Sequence, residues 1–163
     1  MNLQIRLATF DDLAAINDIY NHYVHTSTCT YQEEPDTLAS RTAWLAAHGA
    51  KHPVTVATFN GEVVGWGSLS PFRSRAAYRF SVEDAVYVHR DYHRRGIGRA
   101  LLADLVVRAR EQGHHSILAA IDDEQPASIA LHAALGFEQV AFLKEVGYKF
   151  NRWLHVHYMQ LLL

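Results

Sequence analysis

A helical stripe that starts on two closely spaced glycines dominates the middle of the chain. Ile97, Leu101, Leu105 and Ala109 recur every fourth residue, with Leu102 and Val106 beside them, while Arg99, Arg108 and Arg110 lie off the stripe. That spacing predicts an amphipathic helix, and Gly113 supplies its stop. Before it, Tyr78–Val88 has strand composition and ends where Arg90-Asp91 turns the chain. After it, Ile117–Ile121 is an unbroken apolar run, as expected of a strand covered on both faces. Strand, helix and strand in that order predict a parallel crossover, because two parallel neighbours need a long connection.

The flanking segments follow a different pattern. Leu3–Leu7 alternates apolar and polar residues, and Thr9 or Asp11 can cap a helix carrying Leu13, Ile16, Ile19, Tyr20 and Tyr23. His25–Glu34 has no period and reads as a loop, after which Pro35-Asp36-Thr37 opens a second helix with Leu38, Trp44 and Leu45. Asn60-Gly61 between Val54–Phe59 and Glu62–Ser70 predicts a hairpin, since both residues tolerate the positive φ of a type I′ turn. Ala127–Leu135 reads as a helix stopped at Gly136, and Phe137–Val146 with Trp153–Leu161 as a last antiparallel pair. The predicted class is α/β (α+β): a mixed, mostly antiparallel central sheet flanked by helices, in one domain over residues 1–163.

Composition narrows the function. With 49% hydrophobic and 20% charged residues, the chain can bury one sizeable core. Fifteen Lys and Arg against 17 Asp and Glu leave a net charge of −2, so neither nucleic acid nor an anionic membrane is an expected partner. No segment approaches the roughly 18 uninterrupted apolar residues of a membrane span. A single cysteine, Cys29, excludes an internal disulfide framework and thiolate zinc sites, and the expected location is cytoplasmic. Among eleven histidines, His155 and His157 share a strand face and His22 and His25 lie one helical turn apart. Neither pair brings a third ligand at recognisable spacing, so no metal is expected.

The chemistry concentrates at His93-Arg94-Arg95-Gly96-Ile97-Gly98-Arg99. Two glycines let the backbone approach a ligand, and a helix N-terminus presents N–H groups with partial positive charge, which suits a pyrophosphate. Arg94, Arg95 and Arg99 add local positive potential. Leu101 occupies the third glycine position of a dinucleotide fingerprint and the loop lies mid-chain, which argues against a Rossmann unit. A solvated turn feeding a helix is the alternative reading of the same residues.

These residues resemble the GNAT superfamily of acyl-CoA-dependent N-acetyltransferases, whose signature is Gln/Arg-x-x-Gly-x-Gly/Ala between the fourth strand and a helix. Gly96 and Gly98 match, and His93 stands at the Gln/Arg position. Gln125–Phe137 keeps the spacing of the superfamily's Asn-x-x-Ala/Ser-x-x-x-Tyr/His-x-x-x-Gly-Phe, with Gln125 replacing Asn and His132 at the aromatic position. Tyr31–Pro35, Ser81-Val82-Glu83 before Val86-Tyr87-Val88, and Gly147–Phe150 leading to Trp153 are similar to the phosphinothricin and methionine sulfoximine N-acetyltransferase subgroup. His155 departs from the Asp usual there.

The resemblance implies acetyl-CoA as acyl donor, with Val86, Tyr87 and Val88 offering backbone groups to the pantetheine arm. His93, Arg94, Arg95, Gly96, Ile97, Gly98 and Arg99 would hold the pyrophosphate, and Gln125 and Ser128 would contact the donor from the next helix. It implies Glu83 as general base and His132 as the group that protonates the departing thiolate. The residue-level alternatives are a carboxylate paired with Arg79 and a buried structural histidine. For the acceptor, Arg73, Arg75 and Arg79 lie close to the central strand, and Tyr31, Tyr78 and Lys149 fall in segments that line the acceptor site of the subgroup. The implied partners are a small-molecule amine and a second copy of the chain. A peptide N-terminus as acceptor, or a non-catalytic acyl-CoA sensor, are the competing readings. An α-amino group with pKa near 8 is already about one-tenth neutral at pH 7, so a modest base suffices for a small amino acid.

Overall fold

The computed structural model describes residues 2–163. In chain order the elements are β1 (Leu3–Leu7), α1 (Leu13–Thr26), α2 (Leu38–Ala47), β2 (Val54–Phe59), β3 (Glu62–Pro71), β4 (Ser81–Val88), α3 (Ile97–Glu111), β5 (Ser116–Asp122), α4 (Pro126–Ala134), β6 (Glu138–Lys149) and β7 (Arg152–Leu162). The seven strands form one sheet in the order β1-β2-β3-β4-β5-β7-β6. Every neighbouring pair is antiparallel except β4 and β5, which α3 joins as the parallel crossover.

Alternation along β4 distributes its side chains to two layers. Val82 and Val86 pack with Leu102, Leu105, Ile117, Ala119 and Phe137 on the α3 and α4 side. Ala85 and Tyr87 pack with Ile16, Trp44 and Trp66 under α1 and α2. The α3 stripe settles directly onto β3 because two glycines remove side chains there. A Cβ on Gly65 would stand 3.1 Å from Leu101 Cδ1, and one on Gly67 would stand 3.0 Å from Leu105 Cδ1.

Local signals set the element ends. The Thr37 hydroxyl accepts from the Ser40 N–H at 3.0 Å and starts α2. Asn60 and Gly61 both have positive φ, 50° and 88°, as the two-residue hairpin requires. Gly113, at φ 78°, follows the last turn of α3.

Three expectations change. Tyr78-Arg79-Phe80 does not belong to β4. Tyr78 and Arg79 donate to the carbonyls of Arg75 and Ala76 in a short 3-10 turn, because β3 reaches only as far as the Pro71–Val82 pair and no strand lies opposite Tyr78. Nor is β5 covered on both faces: Ile117, Ala119 and Ile121 are buried, whereas Ala120 is exposed on the other side. The last hairpin is longer than its apolar runs suggest. Its arms meet at Lys149 and Arg152, and Phe150 and Asn151 take φ of 53° and 60° to make a turn without glycine.

Candidate active site

β4 and β5 pair only from Ser81–Glu83 to Ser116–Leu118. Beyond those residues β4 continues against β3 as far as Val88, while β5 continues against β7 as far as Asp122. The two parallel strands therefore part after Glu83, and a cleft opens in the middle of the sheet. The His89 N–H donates to the Val64 carbonyl at 2.8 Å. Antiparallel alternation then turns the backbone groups of Ala85 and Tyr87 toward β3 and those of Asp84, Val86 and Val88 toward the cleft.

Of the three residues expected to offer backbone groups, Tyr87 uses its own within the sheet. The Val88 carbonyl accepts from the Tyr23 hydroxyl and from His93 Nε2, the latter at 3.2 Å. Val86 is the residue whose N–H and carbonyl both face the gap.

The glycine loop stands at the mouth of this cleft. Arg94 and Gly96 take left-handed φ of 58° and 77°, and the chain then enters α3, whose first N–H groups have no intrahelical partner. Arg94, Arg95 and Arg99 are exposed around it. A methyl group on Gly98 would reach Leu131 Cδ2 at 3.4 Å and Val88 Cγ2 at 3.7 Å, ordinary contact distances. The folded chain alone therefore does not require glycine at 98; the space between α3, α4 and β4 is kept clear. The Ile97 side chain is buried with Leu101 and Ala57, so only its backbone is free for a ligand. His93 is held by the Tyr23 hydroxyl at 2.7 Å and stacks on that ring.

On the α1 and α2 face, the cleft continues into a cavity of about 430 Å³. Loop residues Thr28, Cys29, Thr30 and Tyr31 roof it, and Ala120, Tyr158 and Val156 form its floor. Glu83 lies on this same face, opposite Leu118 and two residues from Ala85. Burial pushes the Glu83 carboxyl above its ordinary pKa, the adjacent Asp84 charge adds to the rise, and Arg73 partly opposes it. A carboxylate raised in this way is a better proton acceptor near neutral pH.

The acceptor residues expected from the sequence divide. Tyr31 reaches the cavity wall, where its hydroxyl donates to Asp122 Oδ1 at 2.5 Å. Arg73 is near enough to Glu83 to act on its charge, and lies over the Phe72 ring. Arg75 and Tyr78 are exposed on the turn before β4, with Tyr78 edge-on to Phe72. Lys149 is withdrawn. Only 2% exposed, its ammonium donates to the carbonyls of Ser27 and Thr30, both at 2.7 Å, so it anchors the roof from behind and has no free reach to an acceptor.

Helix α4 brings the remaining residues. Gln125 Nε2 donates to the Thr28 hydroxyl at 3.2 Å and so ties α4 to the roof, and Ser128 sits one turn before His132. His132 does not present a free nitrogen to the cleft. Its Nδ1 is 2.8 Å from the Ser128 carbonyl and its Nε2 is 3.1 Å from Asp84 Oδ2, with both side chains 4% exposed. The ring expected to protonate the thiolate is thus fully engaged inside the fold.

Asp122 is a further residue of the site that the sequence does not single out. Buried at the end of β5, it accepts from Thr28, Tyr31 and the Glu124 N–H, and so joins the roof to the floor. Its position directly after the apolar run is the one sequence signal that marks it.

Residues 16–137 match the Acetyltransferase (GNAT) family. The chain is 42% identical over 160 residues to the L-methionine sulfoximine/L-methionine sulfone acetyltransferase of Salmonella typhimurium, covering 98% of this chain and 94% of that protein. It is similar to the crystal structure of a phosphinothricin acetyltransferase from Sinorhizobium meliloti in complex with AcCoA, at TM-score 0.94 and 40% identity over 100% of this chain and 89% of that one. A ribosomal-protein-alanine N-acetyltransferase from Brucella melitensis superposes at TM-score 0.96 and 43% identity, covering 98% and 99%. With the family matched over most of its length and relatives about 40% identical along nearly all of it, the chain belongs to the GNAT acetyltransferase family.

Proposed function

We propose that this protein transfers the acetyl group of acetyl-CoA to the α-amino group of a small amino-acid-like substrate. The observation that carries this reading is the parting of β4 from β5 immediately after Glu83, with the Gly96–Gly98 helix start at one end of the gap and the cavity at the other. The site fits the donor. Left-handed Gly96, the clear space at Gly98 and the three arginines suit a pyrophosphate, and Val86 has backbone groups turned to the cleft for the amide-bearing arm. Acetyl-CoA supplies an activated acyl carbon in its thioester.

In this reading the roof and floor orient an amine beside Glu83, which accepts a proton from it directly or through one water. The nitrogen lone pair forms the new N–C bond as the C–S bond breaks, without an acyl-enzyme. A thiol pKa of about 8.5 makes the leaving group only mildly basic, so it needs no strong acid from the protein. Relatives that act on amino-acid analogues support the acceptor class.

A peptide N-terminus is the second reading, favoured by the similarity to the ribosomal-protein-alanine enzyme. The protein would act as a homodimer: Phe142, Val146, Tyr148, Phe150 and Trp153 leave an exposed apolar patch on the β6–β7 hairpin, and Val146 also lines the cavity. Titration calorimetry with acetyl-CoA tests the donor, and light scattering after gel filtration tests the dimer. Absence of acetyl-CoA binding, or a monomer at all concentrations, overturns the corresponding part.

A further inference from the structure

Asp84 is the first residue of β4 beyond the last rung it shares with β5. By strand alternation its side chain lies on the α3 and α4 side, opposite in direction to Glu83. There it meets His132 of α4, at 3.1 Å and 3.3 Å from Nε2. Helix α4 follows directly from β5, which ends at Asp122, so the contact bridges the two arms of the sheet where backbone pairing has stopped. Both partners of the His132 ring, the Asp84 carboxylate and the Ser128 carbonyl, are acceptors. Two acceptors favour a hydrogen on each ring nitrogen, and so favour the imidazolium form. Phe137 lies edge-on to it at 5.0 Å, and Leu131 and Ile129 are packed nearby in an otherwise apolar cluster.

A buried ion pair is no more stabilising than well-packed apolar side chains of similar volume; its attested use is to specify one arrangement among several. Apolar residues at 84 and 132 could close this cluster, but they would leave the spacing of β4 from α4 free to vary. Directed bonds to an imidazolium fix it.

We propose that Asp84 and His132 act as a positioning pair that sets the separation of β4 from the β5–α4 arm, and with it the width of the cleft that receives the acyl donor. Neither residue touches the reacting atoms. Asp84 also holds the strand position next to Glu83, so the same pair fixes the backbone that carries the base. This inference rests on the acetyl-CoA reading.

The test combines Asp84→Asn, His132→Leu and His132→Gln with three readouts. Nitrogen NMR of the free protein is expected to show both His132 nitrogens staying protonated to higher pH in the wild type than in Asp84→Asn. His132→Leu, which removes the charge-assisted hydrogen bond to Asp84, should weaken acetyl-CoA binding by at least about tenfold. His132→Gln, which can still donate to Asp84 but has no proton to give up, should keep donor affinity and kcat within about threefold of wild type, whereas loss of a general acid costs about a hundredfold or more. A large fall in kcat for His132→Gln with donor affinity unchanged would make His132 a proton donor and overturn the proposal, as would wild-type donor affinity in His132→Leu or the same His132 titration in wild type and Asp84→Asn. If the wild type itself binds no acetyl-CoA, the functional reading fails instead, a result the NMR measurement separates.

Discussion

The Tyr31 ring lies flat against the backbone of Gly147, so close that a Cβ at 147 would come within 2.8 Å of Cδ2 and 3.0 Å of Cζ. Gly147 has an ordinary φ, so the requirement for glycine is one of space. The contact, with the Tyr31–Asp122 and Lys149–Thr30 bonds, holds the roof of the cavity on the last hairpin. Gly147→Ala should displace Tyr31 and raise the KM of the amine several-fold, by roughly the 1–2 kcal/mol of one strained or lost hydrogen bond, while leaving acetyl-CoA affinity unaltered. Steady-state kinetics in both substrates check this.

Glu83→Gln should lower kcat by about 10²–10⁴-fold, the range for removal of a general base, with acetyl-CoA still bound at wild-type affinity. In the wild type, kcat at saturating amine should fall as pH drops through a value above the ordinary 4.5 of a carboxyl group, because burial and Asp84 raise Glu83. Arg73 acts in the opposite direction, so Arg73→Ala should move that acid limb to higher pH.

Stability should depend on pH through His132. Burial alone would lower its pKa, but the hydrogen bond and charge of Asp84, with the Ser128 carbonyl, outweigh burial and raise it above 6.5. A group whose pKa is raised on folding contributes stability that is complete below its unfolded pKa and is lost as pH climbs through the folded value. The Tm difference between wild type and Asp84→Asn should therefore be largest near pH 6 and shrink toward alkaline pH. A difference that is constant across the range contradicts the ion pair.

Gly98→Ala separates donor binding from folding. Its methyl group fits at 3.4 Å or more from its neighbours, and alanine in a helix is favoured over glycine by up to about 1 kcal/mol, so Tm should hold or rise. Acetyl-CoA affinity should fall, since the methyl group occupies the space between Val88 and Leu131 at the cleft mouth.

The central crossover was readable because it is carried by periodicity and glycine: the α3 stripe, the Gly96 turn and the Asn60-Gly61 hairpin all depend on residues within a few positions of one another. What sequence could not supply were relations between distant segments. The resemblance puts Lys149 in a segment lining the acceptor site, yet its partners are carbonyls at Ser27 and Thr30. His132 is readable either as a proton donor or as a buried structural histidine, and the Asp84 that meets it comes from another strand. The apolar run of β5 reads as doubly covered, and instead its Ala120 forms cavity floor, because a cleft lined with small apolar residues has the same local pattern as a packed strand. Tyr78 reads as strand by its β propensity, which a missing partner strand overrides.

The most direct test is acetyl transfer itself, followed as thiol release from acetyl-CoA with each product identified by mass. The acceptors are methionine sulfoximine, methionine sulfone, phosphinothricin, ordinary amino acids and peptides with an N-terminal alanine. Selective acetylation of the α-amino group of the amino-acid analogues, abolished in Glu83→Gln, is the predicted result. Turnover of the peptides alone, or release of thiol without any acetylated amine, would contradict it.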